Sequence, residues 1–146
     1  MDNRVMNRSN YGFFSAFRAR YSEIDAQGVV FNAHYLTFFD SALNDYFREM
    51  GFQYIEEARK TGFDFHVVKT LVEYKKPIEF DQEFEVGVKT ARIGTSSLTF
   101  DLAMFLKDED TLLATGEVVW VYTDQSTGKT APVRPDLIEM IRKTDP

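Results

Sequence analysis

Cysteine is absent from this chain, so no disulfide framework holds it together and no thiolate is on hand as nucleophile or metal ligand. That fits a reducing compartment, and a cytoplasmic location is the matching expectation. With only 2 histidines, the donors for a zinc site are too few, and neither a metal nor a cofactor is expected. Positive charge is also in the minority. The 17 Lys and Arg stand against 23 Asp and Glu for a net charge of −6, which repels a nucleic-acid backbone and an anionic membrane surface alike. No stretch approaches the roughly 18 apolar residues of a membrane span, and the polar first ten residues lack the apolar core of a signal peptide. A G-x-S-x-G elbow is missing, as are glycine loops of Walker or Rossmann spacing. These gaps exclude serine hydrolases of the elbow type, nucleotide-dependent enzymes, membrane anchors and nucleic-acid binders.

What the chain has in quantity is aromatic mass. It carries 14 Phe and 7 Tyr in 146 residues, and 44% of the chain is hydrophobic, enough for one domain with a sizeable core. No repeat or linker divides it, so residues 1–146 are expected to form a single domain, with 1–10 flexible.

The clearest element starts near Tyr35. Tyr35, Phe38, Phe39, Ala42, Leu43, Tyr46, Phe47 and Met50 recur at helical spacing, while Thr37, Asp40, Ser41, Asn44, Asp45, Arg48 and Glu49 occupy the opposite face. Asn32 suits an N-cap and Gly51 the residue after the C-cap, which predicts a helix from Ala33 to Met50. Alternation over Val68–Tyr74 and Phe84–Lys89 predicts strands, as do Leu98–Leu106, Leu113–Tyr122 and Phe13–Tyr21. Pro135 to Lys143 reads as a short closing helix. The order of one strand, a long helix and four consecutive strands implies an α+β domain with a largely antiparallel sheet packed on one helix.

Asp25 lies just ahead of that helix, three residues before Gly28. An Asp in such a place is commonly a turn residue bonding its own backbone. A carboxylate beside the positive end of a helix can also do chemistry. The surrounding motif, Asp25-Ala26-Gln27-Gly28-Val29-Val30 followed by Asn32-Ala33-His34-Tyr35 and an aromatic helix, is similar to that of the hotdog-fold acyl-CoA thioesterases of the 4-hydroxybenzoyl-CoA thioesterase type. Tyr74-Lys75-Lys76-Pro77 at a strand end, Ala91 to Ser97 between two strands, and Gly128-Lys129 with Pro132 extend the resemblance over roughly residues 13–140.

The resemblance implies a five-stranded, mainly antiparallel sheet wrapped around one long central helix, and hydrolysis of an acyl-CoA thioester. It makes Asp25 the catalytic carboxylate, as nucleophile or as general base. The backbone amide of Asn32 would bind the oxyanion at the helix start, and Gly28 would allow close backbone approach. Substrate contacts would come from Tyr35, His34, Lys75, Lys76, Arg92, Ser96, Ser97 and Arg134. For each basic residue a solvated surface charge is the competing explanation, and for His34 a surface or interface His at the helix N-terminus is the favoured one. His66 reads as structural, and Asp40, Ser41 and Glu49 as solvated or intersubunit groups. The resemblance also implies homodimers joined sheet edge to sheet edge, and often homotetramers. Two alternatives stand beside this reading: a non-catalytic acyl-CoA-binding hotdog domain and an acyl-carrier-protein thioesterase.

Overall fold

The computed structural model describes residues 7–145. Of the N-terminal stretch expected to be flexible, residues 1–6 lie outside the described residues. Residues 8–10 form a 3₁₀ turn, and Arg8 pairs with Glu85 while stacking 4.5 Å from the Phe14 ring centroid.

Five strands, β1 (Phe13–Arg18), β2 (Phe63–Tyr74), β3 (Glu83–Ile93), β4 (Ser97–Leu106) and β5 (Leu112–Asp124), form one antiparallel sheet in the order β1-β3-β4-β5-β2. Helix α1 (His34–Glu49) lies across it, α2 (Tyr54–Thr61) flanks β2, and α3 (Pro135–Thr144) ends the chain. This is the sheet-and-central-helix arrangement that the resemblance implies. Among the described residues no helix is long and apolar enough to cross a membrane.

The helical repeat dictates the packing. Tyr35, Phe38, Phe39, Ala42, Leu43, Tyr46 and Phe47 are all buried, facing Phe84, Val86, Val88, Leu98, Phe100, Leu102, Met104, Val118 and Trp120 on the inner side of the sheet. The helix sits close because of one residue. A Cβ on Gly116 would come 2.2 Å from a ring carbon of Phe39, so only glycine lets α1 settle onto β5. The outer side of the sheet has a smaller apolar cluster, in which Tyr11 covers Ala103 and Phe105.

Several boundaries differ from the sequence expectation. Helix α1 begins at His34, with Ala33 in the cap position and no side-chain capping bond, so Asn32 is not the N-cap. The backbone does turn at Gly51, with φ +94°. Strand β1 stops at Arg18, and Tyr21–Glu23 is a 3₁₀ turn. Helix α2 was not anticipated. Strand β2 starts at Phe63 rather than Val68 because a bulge between Val67 and Lys69 resets its alternation. Val68 is that extra residue and is 59% exposed, whereas Val72 is partly buried against the core.

Candidate active site at the start of the long helix

The chain from Ile24 to Val30 doubles back on itself. The Asp25 N–H donates to the Val29 carbonyl at 2.9 Å, and the Gly28 N–H to the Asp25 carbonyl at 3.0 Å. Gly28 makes this possible with φ +76°, a conformation that is costly for any residue with a Cβ. The Asp25 Oδ1 accepts the Gln27 N–H at 2.8 Å, which is the local turn bond expected of Asp. Among the described residues, no donor reaches Oδ2. A short second ladder, Val29 to Glu79 and Val30 N–H to Ile78 O at 2.8 Å, ties this turn to the segment after Pro77.

Beyond Val30 the chain enters α1 through a tight turn. The Phe31 N–H donates to Glu23 O at 2.9 Å, the His34 N–H to Phe31 O at 3.0 Å and the Tyr35 N–H to Asn32 O at 3.3 Å. Among the described residues, the N–H groups of Asn32 and Ala33 find no protein acceptor. These are the unpaired donors expected at a helix start, lying at the positive end of its dipole. They adjoin a cleft of about 250 Å³ lined by Val30, Asn32, Tyr35, Tyr74, Lys75, Lys76 and Pro77. The Tyr35 phenol is pushed above its usual range by burial and by Tyr74, with a bond to the Ile78 backbone opposing. It therefore stays neutral at ordinary pH and offers ring surface. Both lysines are exposed on the rim. A single acceptor, the carbonyl of Leu113, takes their backbone N–H groups at 2.9 and 3.0 Å and so ends β2 there.

The sequence-derived residues fall into two groups. Asn32, Tyr35, Lys75 and Lys76 share the cleft, and Asp25 and Gly28 occupy the adjoining turn without lining it. His34 opens α1 edge-on to Phe31, with ring centroids 6.0 Å apart. The second group is elsewhere. Ser96 sits in the β3–β4 turn and Ser97 opens β4, where it pairs in register with Val121 of β5. Arg92 is exposed near the end of β3. Lys75 and Lys76 bond to Leu113 at the opposite end of β5, and eight residues of strand at about 3.3 Å each put roughly 26 Å between the two groups. Arg134 belongs with the second group and is already engaged. It pairs with Glu57 at 2.8 Å and Asp136 at 2.6 Å, which raise its pKa further. His66 is exposed and meets the Gln125 amide at 2.9 Å.

Two features went unassigned in the sequence. Tyr74 and Pro77 line the cleft, although the motif containing them had pointed only to its lysines. Glu23 is buried to 6% exposure and accepts the Arg20 backbone N–H at 2.8 Å and its guanidinium at 2.9 Å. Those bonds outweigh desolvation and hold its carboxyl below the usual range.

Comparison with known proteins finds similarity along most of the chain. Residues 19–141 match the family described as the thioesterase-like superfamily. The acyl-CoA thioester hydrolase YbgC of Escherichia coli is 32% identical over 108 residues, 73% of this chain and 78% of that protein. Among solved structures, a Pseudomonas aeruginosa protein superposes with a TM-score of 0.84 at 28% identity, covering 95% of each chain. The DHNA-CoA thioesterase of Staphylococcus aureus superposes at 0.81 with 26% identity, covering 89% of this chain and 88% of that one.

Proposed function

The chain belongs to the thioesterase-like superfamily, and from that premise we propose that it hydrolyses acyl-CoA thioesters at the start of α1, with Asp25 as the catalytic carboxylate. The observation that carries this reading is the pair of unpaired N–H groups, Asn32 and Ala33, beside a cleft rimmed by Lys75 and Lys76. A thioester carbonyl held against those amides would have its developing negative charge stabilised by donors needing no reorganisation. The free Oδ2 of Asp25 then has two possible tasks. It attacks the carbonyl, expelling CoA thiolate and leaving a mixed anhydride for water to open; or it takes a proton from water, whose oxygen attacks and expels the thiolate. Both routes give a carboxylic acid and free CoA. The two lysines supply the local positive charge that an acidic protein needs to meet CoA phosphates.

We further propose a homodimer formed along β2. Val67, Val68, Leu71 and Tyr74 on this edge strand are 45–59% exposed, and an unpaired apolar edge is a template for a second strand. Antiparallel pairing of two β2 edges about a two-fold axis would bring one chain's Lys75 end alongside the partner's opposite end. That arrangement would unite the two groups of residues that β5 separates within one chain.

The test is Asp25→Asn, assayed with acyl-CoAs of graded chain length and with aromatic acyl groups. Asn retains an oxygen for the Gln27 N–H, so the fold and native mass should be unchanged. The kcat should fall by about 100-fold or more. Full turnover in the folded variant removes Asp25 from the mechanism, and a wild-type protein inactive on every ester removes the thioesterase reading.

A further inference from the structure

Tyr74 stands at the last position of the edge strand β2. Its ring meets Tyr35 edge-on, centroids 4.8 Å apart and planes at 79°, and Tyr35 itself is 3% exposed. The phenol is thereby aimed at a fixed point in the turn that leads into α1. Its hydroxyl donates to the carbonyl oxygen of Asn32 at 3.3 Å, on the wall of the cleft that both tyrosines line.

That carbonyl is one half of a rigid unit. The Asn32 C=O and the Ala33 N–H belong to the same planar peptide group, so whatever holds the oxygen also fixes the direction of the hydrogen. A donor on the carbonyl further polarises the amide, leaving its N–H a stronger donor in turn. The Ala33 N–H is one of the two amides at the helix start without a protein acceptor. The Asn32 carbonyl also accepts the Tyr35 N–H at 3.3 Å, and the two flanking peptide groups are tied to each other by the bond from His34 N–H to Phe31 O. Among the described residues, Tyr74 supplies the only side-chain hydrogen bond to this turn's backbone.

We infer that Tyr74 is a positioning residue for the hydrolytic reaction: its hydroxyl orients and polarises the peptide group between Asn32 and Ala33, so that the Ala33 N–H acts beside that of Asn32 on the thioester oxygen. This rests on the reading of the helix start as the oxyanion site. The phenol does not touch the reacting atoms. It acts through the backbone, and its contribution belongs to the transition state, when charge gathers on the oxygen, more than to substrate capture.

Tyr74→Phe isolates the hydroxyl, because the ring and its contact with Tyr35 remain. In an acyl-CoA that the wild-type protein hydrolyses, kcat should fall about three- to tenfold, the range for one neutral hydrogen bond. KM and the affinity for a non-hydrolysable acyl-CoA analogue should stay within twofold, as should the melting temperature. A second measurement is independent of turnover. In ¹⁵N-labelled protein without ligand, the amide proton of Ala33 should shift in Tyr74→Phe, while that of Val88 in β3 should not move. An unchanged kcat overturns the inference. So does a raised KM with normal kcat, which would mean that the phenol binds substrate directly, and so does an Ala33 resonance that stays in place. A wild-type protein inactive on all acyl-CoAs removes the thioesterase reading and this inference with it; an active wild type matched by Tyr74→Phe removes only the inference.

Discussion

Replacing Asn32 by proline deletes one N–H and little else. That N–H has no protein acceptor among the described residues, whereas the bonds on either side, Phe31 N–H to Glu23 O and His34 N–H to Phe31 O, use atoms that the substitution retains. The carbonyl that accepts from Tyr74 is also kept. Proline is tolerated at the entry to a helix, where the missing donor would be unpaired in any case, and the exposed Phe31 that precedes it can adjust without disturbing the core. Loss of one oxyanion donor raises the barrier by about 2.7–4 kcal/mol, or roughly 100- to 1000-fold in kcat. Because the Ala33 N–H remains alongside, the low end of that range is expected.

The control is Asn32→Ala. It keeps the amide and removes a side chain that is exposed and makes no capping bond, so its activity should lie within about twofold of wild type. The assay compares kcat, analogue affinity and native mass for the two variants. Equal losses in both would assign the effect to the side chain and refute the backbone argument. Full activity in a folded, wild-type-mass Asn32→Pro would refute it too, since the amide would then be idle.

Neutralising Lys75 and Lys76 together to Gln should raise KM for CoA esters and leave pantetheine esters, which lack the nucleotide phosphates, nearly unchanged; equal effects on both would show that the pair does not meet phosphate. Gly116→Ala should lower stability by about 1–3 kcal/mol by overpacking against Phe39, visible as a melting temperature lower by about 2–4 °C per kcal/mol; an unchanged melting temperature would mean that α1 can lift off β5 freely. Glu23 has its carboxyl held low by Arg20, so its stabilisation is fully present above the unfolded Glu pKa of about 4.3 and is lost as pH falls through the lower folded value. Urea midpoints measured from pH 6 to pH 3 should therefore fall less steeply in Glu23→Gln than in wild type, and parallel curves would reject that assignment.

The long helix was legible because its apolar residues keep a 3.6 period without interruption from Tyr35 to Phe47, and every one of them on that face is buried. Strand β2 was only half legible. Phe63, Phe65 and Val67 alternate in one phase, the bulge at Val68 inserts a residue, and Thr70, Val72 and Tyr74 resume in the other phase, so a strict period-2 reading starts after the break. Helix α2 escaped because a short eight-residue helix with no buried residue has almost no apolar stripe to read. Its weaker signals were present nonetheless: acids Glu56 and Glu57 in the first turn, bases Arg59 and Lys60 in the last, and Gly62 at φ +76° beyond them. The strand order could not be read from local pattern at all. Placing β2 beyond β5 is a long-range pairing, and that placement decides which basic residues stand near the helix start.

Asp25 shows why the turn explanation and the catalytic one need not compete. A carboxylate has two oxygens with about four acceptor positions, and the turn uses one of them, Oδ1 to the Gln27 N–H. That bond fixes the side chain's rotamer, so Oδ2 is held in one direction without occupying any other side chain. The same turn is tied through Val29 and Val30 to Glu79 and Ile78, next to Pro77 on the cleft wall. The local bond that makes Asp a good turn residue would thus also serve as the support needed by the reacting carboxylate proposed above, a group held by its surroundings rather than by substrate. It also explains the short spacing to Gly28. The left-handed residue closes the turn tightly enough for Val30 to join the second ladder, and from Val30 two residues bring the chain to the unpaired amide of Asn32. Carboxylate and amide are therefore set by one stretch of backbone, and lengthening the Asp25–Gly28 turn by a residue would separate them even with every side chain in place.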